Sequence, residues 1–298
     1  MPIPESREAI DFGIEIDFDR DSADPARVFR TMSGLIDSFQ ELDRSLAGAI
    51  DVSIAPVLML EDIEAGSLKV WLRELLQSVN DEALKSGEWK KVVGNYLVKT
   101  KYIVLKFLED KDKLSNRDDI ARLQREITVA AETTDVKWIP AYGPVPLPKL
   151  LGSIQGVNEA LGHLGKKDTA KFMSAEGDAN LNLTLQFDIS EMEELLTSEV
   201  ISNESPMIVK VKKPDYLGES KWEFVFEHSI EAKILDAEWL TRFQNRLEDV
   251  RPGDALRALV RTEVRYGYEH DVISTRYSIL KVIEVIRPVY PSQGKFLT

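Results

Sequence analysis

Closely spaced aspartates near the start of the chain have the residue type and spacing of a metal site. Asp17, Asp19 and Asp21 alternate along the chain as the first ligands of a calcium-binding loop do. Ser22 stands where such a loop has its glycine, and Val28 stands where it has its bidentate glutamate. These departures favour another interpretation, an acidic strand end beside a helix N-terminus, whose partial positive charge attracts carboxylates. A metal-dependent enzyme is therefore only the third hypothesis for function.

A row of arginines near the end of the chain has the chemistry of an anion site. Arg257, Arg261 and Arg265 fall on one face of a predicted strand, and Arg276 joins them from the next strand. With Trp222 nearby, guanidinium and stacking contacts would hold a nucleotide or a single-stranded oligonucleotide. The simpler interpretation is that the arginines pair with glutamates across the strands, and we prefer it.

Composition excludes several kinds of chemistry. The 298 residues include no cysteine and three histidines. Disulfides, cysteine-based zinc sites and a cysteine nucleophile are therefore excluded, and a Ser-His-Asp triad has few candidate members. No stretch has the spacing of a phosphate loop. The sequence thus favours a protein without a catalytic set, and we expect no cofactor.

The first 138 residues predict an α/β module. Alternating apolar and polar residues predict a strand from Ile10 to Phe18, and apolar residues three and four apart predict a helix from Pro25 to Ile50. Pro56, inside the next apolar run, indicates a sheet edge or a bulge. The other predicted elements are strands at 54–60 and 68–72, a turn to helix near Leu75, and helices at 89–108 and after a capping box at Ser115–Asp118. This β-α-β-β module has long amphipathic helices with apolar area to spare, which favours a protein partner or self-association.

A proline-rich segment marks the predicted domain boundary. Residues 139–148 contain four prolines and a glycine, which cannot continue a helix or a central strand. We therefore assign 1–138 to the front module, 139–165 to a connection with a short helix, and 166–298 to a second module.

The second module predicts a small β-barrel with one helix. Asp236 caps that helix, and Pro252 and Gly253 fit the central positions of a type II turn. Strands are expected at 171–173, 180–188, 208–211, 222–234, 256–266 and 273–285. The order around the helix matches an OB-like barrel, and an SH3-like barrel is the alternative. The whole chain is therefore assigned to the α+β class.

Three runs of the second module carry a resemblance. The stretches Lys213–Phe224 (KPDYLGESKWEF), Ala232–Leu240 and Pro252–Arg257 (PGDALR) together resemble a C-terminal domain of uncharacterised bacterial proteins. The resemblance covers about the last 90 residues. It implies a bacterial cytoplasmic setting and transfers no catalytic residue.

The negative charge lies in the front of the chain. The net charge is −13; residues 207–298 carry 15 basic and 14 acidic residues, so 23 basic and 37 acidic residues remain for 1–206. Such a front surface repels phosphate backbones and anionic lipid, so only the second module could bind nucleic acid and no membrane partner is expected. The absence of a signal-peptide pattern predicts a cytoplasmic protein. The leading hypothesis is a non-enzymatic interaction or adaptor protein, with a nucleotide-binding or oligonucleotide-binding module as the alternative.

Overall fold

The computed structural model describes residues 11–64, 66–78, 88–139, 142–216, 220–268 and 270–287. The chain divides into two compact units, Met1–Leu195 and Leu196–Thr298. Both helices and strands are present, which confirms the α+β class. The boundary differs from the predicted one at 139–165, because residues 169–174 form a strand that pairs with the first strand of the chain. The proline-rich segment is therefore internal to the first unit.

The first unit contains a five-stranded sheet and long helices. Its elements are β1 Phe12–Asp17, α1 Ala26–Ile50, β2 Ile54–Glu64, β3 Leu68–Ser78, α2 Glu88–Leu108, α3 Arg117–Thr133, α4 Leu147–Leu161, β4 Thr169–Ser174, β5 Gly177–Asn180 and α5 Ile189–Leu196. The strand order is β2-β3-β1-β4-β5, and every neighbouring pair is antiparallel. Helices α1, α2 and α4 pack on one face of this sheet. The apolar residues of β1 predicted from the alternation, Phe12, Ile14 and Ile16, lie at the centre of that core and are fully buried.

Three expectations for the first unit are wrong. The chain near Leu75 continues in β3 instead of turning helical, because β3 extends to Ser78 opposite an equally long β2. Residues 180–188 do not form one strand, since β5 ends at Asn180 and Gln186 makes only an isolated bridge with Lys113. Helix α3 is capped by Asn116, whose side chain accepts the N–H of Asp119, and not by Ser115.

The second unit is a closed ring of five strands with one helix. Its elements are β6 Glu199–Lys213, β7 Trp222–Phe226, β8 His228–Ile234, α6 Ala237–Gln244, β9 Ala255–Tyr266 and β10 Val272–Ile286. The strands hydrogen-bond in the cyclic order β10-β8-β7-β6-β9, and only β8 and β10 run parallel. The predicted long strand at 222–234 is two strands, because Glu227 adopts a positive φ of 56° and reverses the chain. Gly253 has a φ of 102°, which confirms the positive φ that the predicted turn requires at this position.

An aromatic cluster fills the ring. Trp222 contacts Phe243 with 4.8 Å between ring centroids, and Trp239 stacks on Phe243 at 5.7 Å. Helix α6 supplies two of these three rings, and its N-cap Asp236 binds the N–H of Trp239 as predicted and that of Val282 in β10. The cap therefore fastens the helix to the ring at the point where its aromatic residues enter the core.

None of the helices that the structure describes is both long and apolar enough to cross a membrane.

Candidate interaction surface

The aspartates of the predicted metal site do not converge. Asp19 accepts the N–H of Asp21 and forms an ion pair with Lys167 at 3.1 Å. Asp17 is the last residue of β1, and the turn after it carries Asp21 at the surface. Within the described residues, no three His, Asp or Glu side chains are grouped in a way that could hold a metal ion. The arrangement agrees with the structural interpretation of this acidic stretch.

A buried ion pair fixes the same turn. Arg27, on the first turn of α1, donates from Nε and one terminal nitrogen to the carboxylate of Asp168 at 2.8 and 2.9 Å. The backbone N–H groups of Asp19 and Gly165 donate to the same carboxylate. The hydrogen bonds from Arg27 lower the pKa of Asp168 to about 2, although burial opposes this. These bonds join the start of α1 to two turns, the one that precedes α1 and the one that precedes β4. Both oxygens of the Asp168 carboxylate are bonded within the protein.

The arginine row lies on the outer face of β9, as predicted. Arg257 forms an ion pair with Glu284 of β10 at 3.3 Å, and Arg261 donates two hydrogen bonds to Glu204 of β6. Arg265 follows on the same face. Pairing between strands, the interpretation that we preferred, thus holds for the first two arginines. These two guanidinium groups are already neutralised.

The remaining members of the predicted anion site lie in different places. Arg276 lies opposite Glu263 in the β9–β10 ladder and therefore on the same face as the arginine row, as expected. Trp222 is only 1% exposed and belongs to the aromatic core, because β7 turns this side chain into the ring. Its indole therefore has no face free for a base, which corrects the stacking role expected from the sequence.

A depression beside helix α6 has room for a small molecule, about 500 Å³ in volume. Tyr216 and Phe243 stack in its wall at 5.1 Å. Charged groups near it pair with each other, Arg242 with Glu248 at 3.3 Å and Arg251 with Asp249 at 2.9 Å. Both acidic residues of its lining, Glu248 and Asp249, are thus paired with arginines, and Arg246 also lines the depression.

The two edges of the five-stranded sheet differ sharply. Strand β5 forms one edge with only four residues, and Asn180 is hydrogen-bonded there to Glu109 at the end of α2. Strand β2 forms the other edge with eleven residues, and its outer side pairs with no strand in the described part of the chain. Long open edges are the natural docking sites for a further strand.

The open edge is also apolar. Five large apolar side chains of the β2–β3 hairpin are between 37% and 56% exposed: Val57, Met59, Leu60, Ile63 and Leu75. Val57 lies directly opposite Leu75 in the ladder, and Met59 follows two residues later on the same face. Val57, Met59 and Leu75 therefore form a contiguous exposed apolar area, which distinguishes a docking surface from scattered apolar residues. Leu60 and Ile63 lie opposite the buried Leu72 and Val70, on the other face of the hairpin.

Two features of β2 limit where a further strand could pair with it. Pro56 has no N–H to donate to an added strand. Its carbonyl oxygen accepts a hydrogen bond from the side-chain amide of Gln40 at 3.2 Å, so this carbonyl faces the open edge and is already bonded. A bulge at Glu61 shifts the register, and this glutamate pairs with Arg73 at 2.8 Å. Between Pro56 and Glu61, the N–H and C=O groups of successive residues point alternately toward β3 and toward the open side. Those of Leu58 and Leu60 point toward the open side.

Strand β6 offers a second partly open edge. Its residues 199–209 pair with β9 on one side, whereas its ladder to β7 begins at Lys210. The run from Ser202 to Pro206 is polar or ends in proline, so this edge lacks the apolar continuity of β2.

No protein-family model matches the chain, and no curated protein or solved structure matches it either.

Proposed function

We propose that this chain is a non-enzymatic protein–protein interaction protein and that the open edge of β2 is its binding surface. The observation that carries the proposal is the eleven-residue edge with its contiguous exposed apolar side chains. Strand addition would pair the backbone groups of Leu58 and bury Val57, Met59 and Leu75.

The occupant that fits this edge is a second copy of the same strand. In an antiparallel pair centred on Leu58, this residue faces itself, Val57 faces Met59, and Pro56 faces Leu60. Each apolar residue thus meets an apolar residue, which is the pattern that stabilises a cross-strand pair. Such a two-fold contact uses the same patch on both copies and closes upon itself.

Charge supports this register as well. Beyond the apolar centre, Glu61 would face Ala55 and Asp62 would face Ile54, so no carboxylate lies opposite another. The paired strands would therefore avoid direct repulsion between like charges.

Sedimentation equilibrium of the full-length protein tests the proposal. We expect a reversible dimer whose dissociation constant rises at least about tenfold, or about 1.4 kcal/mol, in Met59→Lys, because the substitution places a charge in the apolar contact. Ile208→Lys is the matched control, since Ile208 is also an exposed apolar strand residue but lies in the second unit. A wild-type protein that stays monomeric at high concentration would reject the self-pairing.

We also propose that the ring of the second unit is an OB-like barrel. The support is its element order of three strands, a helix and two strands, with β8 and β10 parallel. The SH3-like alternative has less support, because the helix between β8 and β9 fits the OB-like order. An OB-like fold does not by itself make the unit an oligonucleotide-binding module, since Arg257 and Arg261 are paired and Trp222 is buried. The bacterial cytoplasmic setting remains a proposal that rests on the sequence.

A further inference from the structure

A lysine is buried between two carboxylates in the core of the first unit. Lys101 lies on α2, Asp43 on α1 and Glu74 on β3, and their side chains are 0%, 1% and 1% exposed. The Nζ atom of Lys101 contacts Oδ1 of Asp43 and Oε1 of Glu74. It also lies 5.0 Å from the ring centroid of Phe12, inside the apolar core. An amine and two carboxyl groups are therefore held in contact and out of water.

One ammonium ion neutralises only one of the two carboxylates. Burial raises the pKa of Glu74 to about 8 and raises that of Asp43 as well, so at neutral pH the pair of carboxyl groups retains a proton. The carboxylate of Asp11 adds to this, because it lies close enough to accept the backbone N–H of Glu74 at 2.6 Å. Oδ2 of Asp43 and Oε2 of Glu74 have no hydrogen-bond partner in the described structure. The cluster thus combines a protonated acid, a carboxylate and an ammonium group.

The reactive form of the cluster arises by proton transfer within it. The two carboxyl groups together raise the pKa of Lys101 although burial lowers it, so the ion pair predominates. Transfer of one proton from Lys101 to Asp43 leaves a neutral amine against a neutral carboxylic acid, without changing the net charge of the core. A low-dielectric surrounding makes this neutral pair less costly than it is in water. Groups held together in this way react with effective concentrations far above those in solution.

We propose that Lys101 and Asp43 join in an intramolecular isopeptide bond, with Glu74 as the group that transfers protons. The Nζ lone pair attacks Cγ of Asp43, and the bond between Cγ and its hydroxyl oxygen breaks. Glu74 takes a proton from Nζ at one carboxyl oxygen and gives its own proton to the departing hydroxyl group. The products are an amide and one water molecule, and Glu74 is regenerated. No oxidant, reductant or other reactant takes part.

The positions of the two acids assign their roles. The proton-transferring group must hold a proton at neutral pH, and Glu74 is the acid flanked by both Asp43 and Asp11. Asp43 is therefore the carboxyl that is attacked. The resulting bond would cross-link α1 to α2 across 58 positions of the chain and tie two of the helices that cover the sheet.

Mass spectrometry of the denatured full-length protein tests this directly. We expect the wild-type chain to be lighter by one water molecule than its sequence requires, whereas Lys101→Arg has its full calculated mass. Digestion should release one branched peptide that joins Lys101 to Asp43. A wild-type chain of full mass after prolonged incubation would overturn the proposal, and a branched peptide at Glu74 would overturn the assigned roles.

The matched variants are two Glu→Gln changes at lysine-paired positions. Glu74→Gln keeps the side-chain size and removes the transferable proton, so the chain should keep its full mass. Glu109→Gln changes a glutamate that pairs with Lys106 outside this cluster, and the branched peptide should persist. Formation of the link in Glu74→Gln would contradict the role of Glu74. The wild-type mass decides the main point even if Glu74→Gln fails to fold.

Discussion

Replacement of Asp168 by asparagine tests the physical account of the first unit. Arg27 and the N–H groups of Asp19 and Gly165 bind this carboxylate, whose side chain is 1% exposed. These interactions lower the pKa of Asp168 from 3.8 to about 2. At about 1.4 kcal/mol per pKa unit, the ionised carboxylate stabilises the folded state by about 2–3 kcal/mol at neutral pH. Asp168→Asn should remove that amount and leave the buried Arg27 without its counter-charge.

The pH dependence has a defined sign. A carboxylate whose pKa is lower in the folded state contributes its full stabilisation above the unfolded value of 3.8 and loses it as the pH falls through about 2. The difference between wild type and Asp168→Asn should therefore be constant above about pH 5 and shrink to roughly half at about pH 3.

Urea unfolding followed by hydrogen exchange of β1 and α1 peptides measures this difference in the first unit alone. Asp178→Asn is the control, because Asp178 is a half-exposed carboxylate 4.0 Å from Lys171 and should change stability by less than about 0.5 kcal/mol. Equal stability of wild type and Asp168→Asn at pH 7 would refute the reasoning. So would a difference that grows as the pH falls.

Three further predictions concern packing, capping and surface charge. Gly13→Ala should destabilise the first unit by about 1–3 kcal/mol in urea unfolding, because its Cβ would lie 2.6 Å from the ring of Trp71; a neutral result would mean that this ring is free to shift. Asp236→Ala should lower the unfolding free energy of the second unit, followed by tryptophan fluorescence, by about 1–2 kcal/mol, since the α6 cap and the bond to Val282 are lost; an unchanged midpoint would contradict the cap. A double-mutant cycle of Arg261→Ala and Glu204→Ala should give a coupling below about 1 kcal/mol, because both side chains are exposed; a larger value would show that the pair is more than a surface ion pair.

Local patterns predicted the elements better than their assembly. The alternation of Phe12, Ile14 and Ile16 and the spacing in α1 specify buried faces, because burial follows the period of a strand or helix. Pro56 indicated an edge or a bulge, and β2 is an edge strand with its bulge a few residues later. The domain boundary was misplaced because β1 and β4, which pair in the sheet, are about 150 residues apart in the chain. The local sequence of the proline-rich segment between them does not indicate that the strands on either side of it pair.

The candidate sites were only partly predictable for the same reason. The outward face of the arginine row follows from strand periodicity, whereas the burial of Trp222 depends on the packing of α6 against it. Lys101, Asp43 and Glu74 come from three separate elements, so no local motif unites them. The available signal was a charged residue beside buried positions of a helix: Asp43 follows Leu42, and Lys101 precedes the apolar run from Tyr102.

Disulfide trapping of Leu58→Cys tests the central claim most directly. The natural chain has no cysteine, so this variant carries a single thiol. In the proposed pair, the two Cα atoms at this position would be about 5.5 Å apart, within the range that a disulfide spans. Val129→Cys places the thiol at an exposed position on α3 and is the control. The account predicts that mild oxidation links Leu58→Cys into a dimer and leaves Val129→Cys monomeric; equal, slow linkage of both would contradict it.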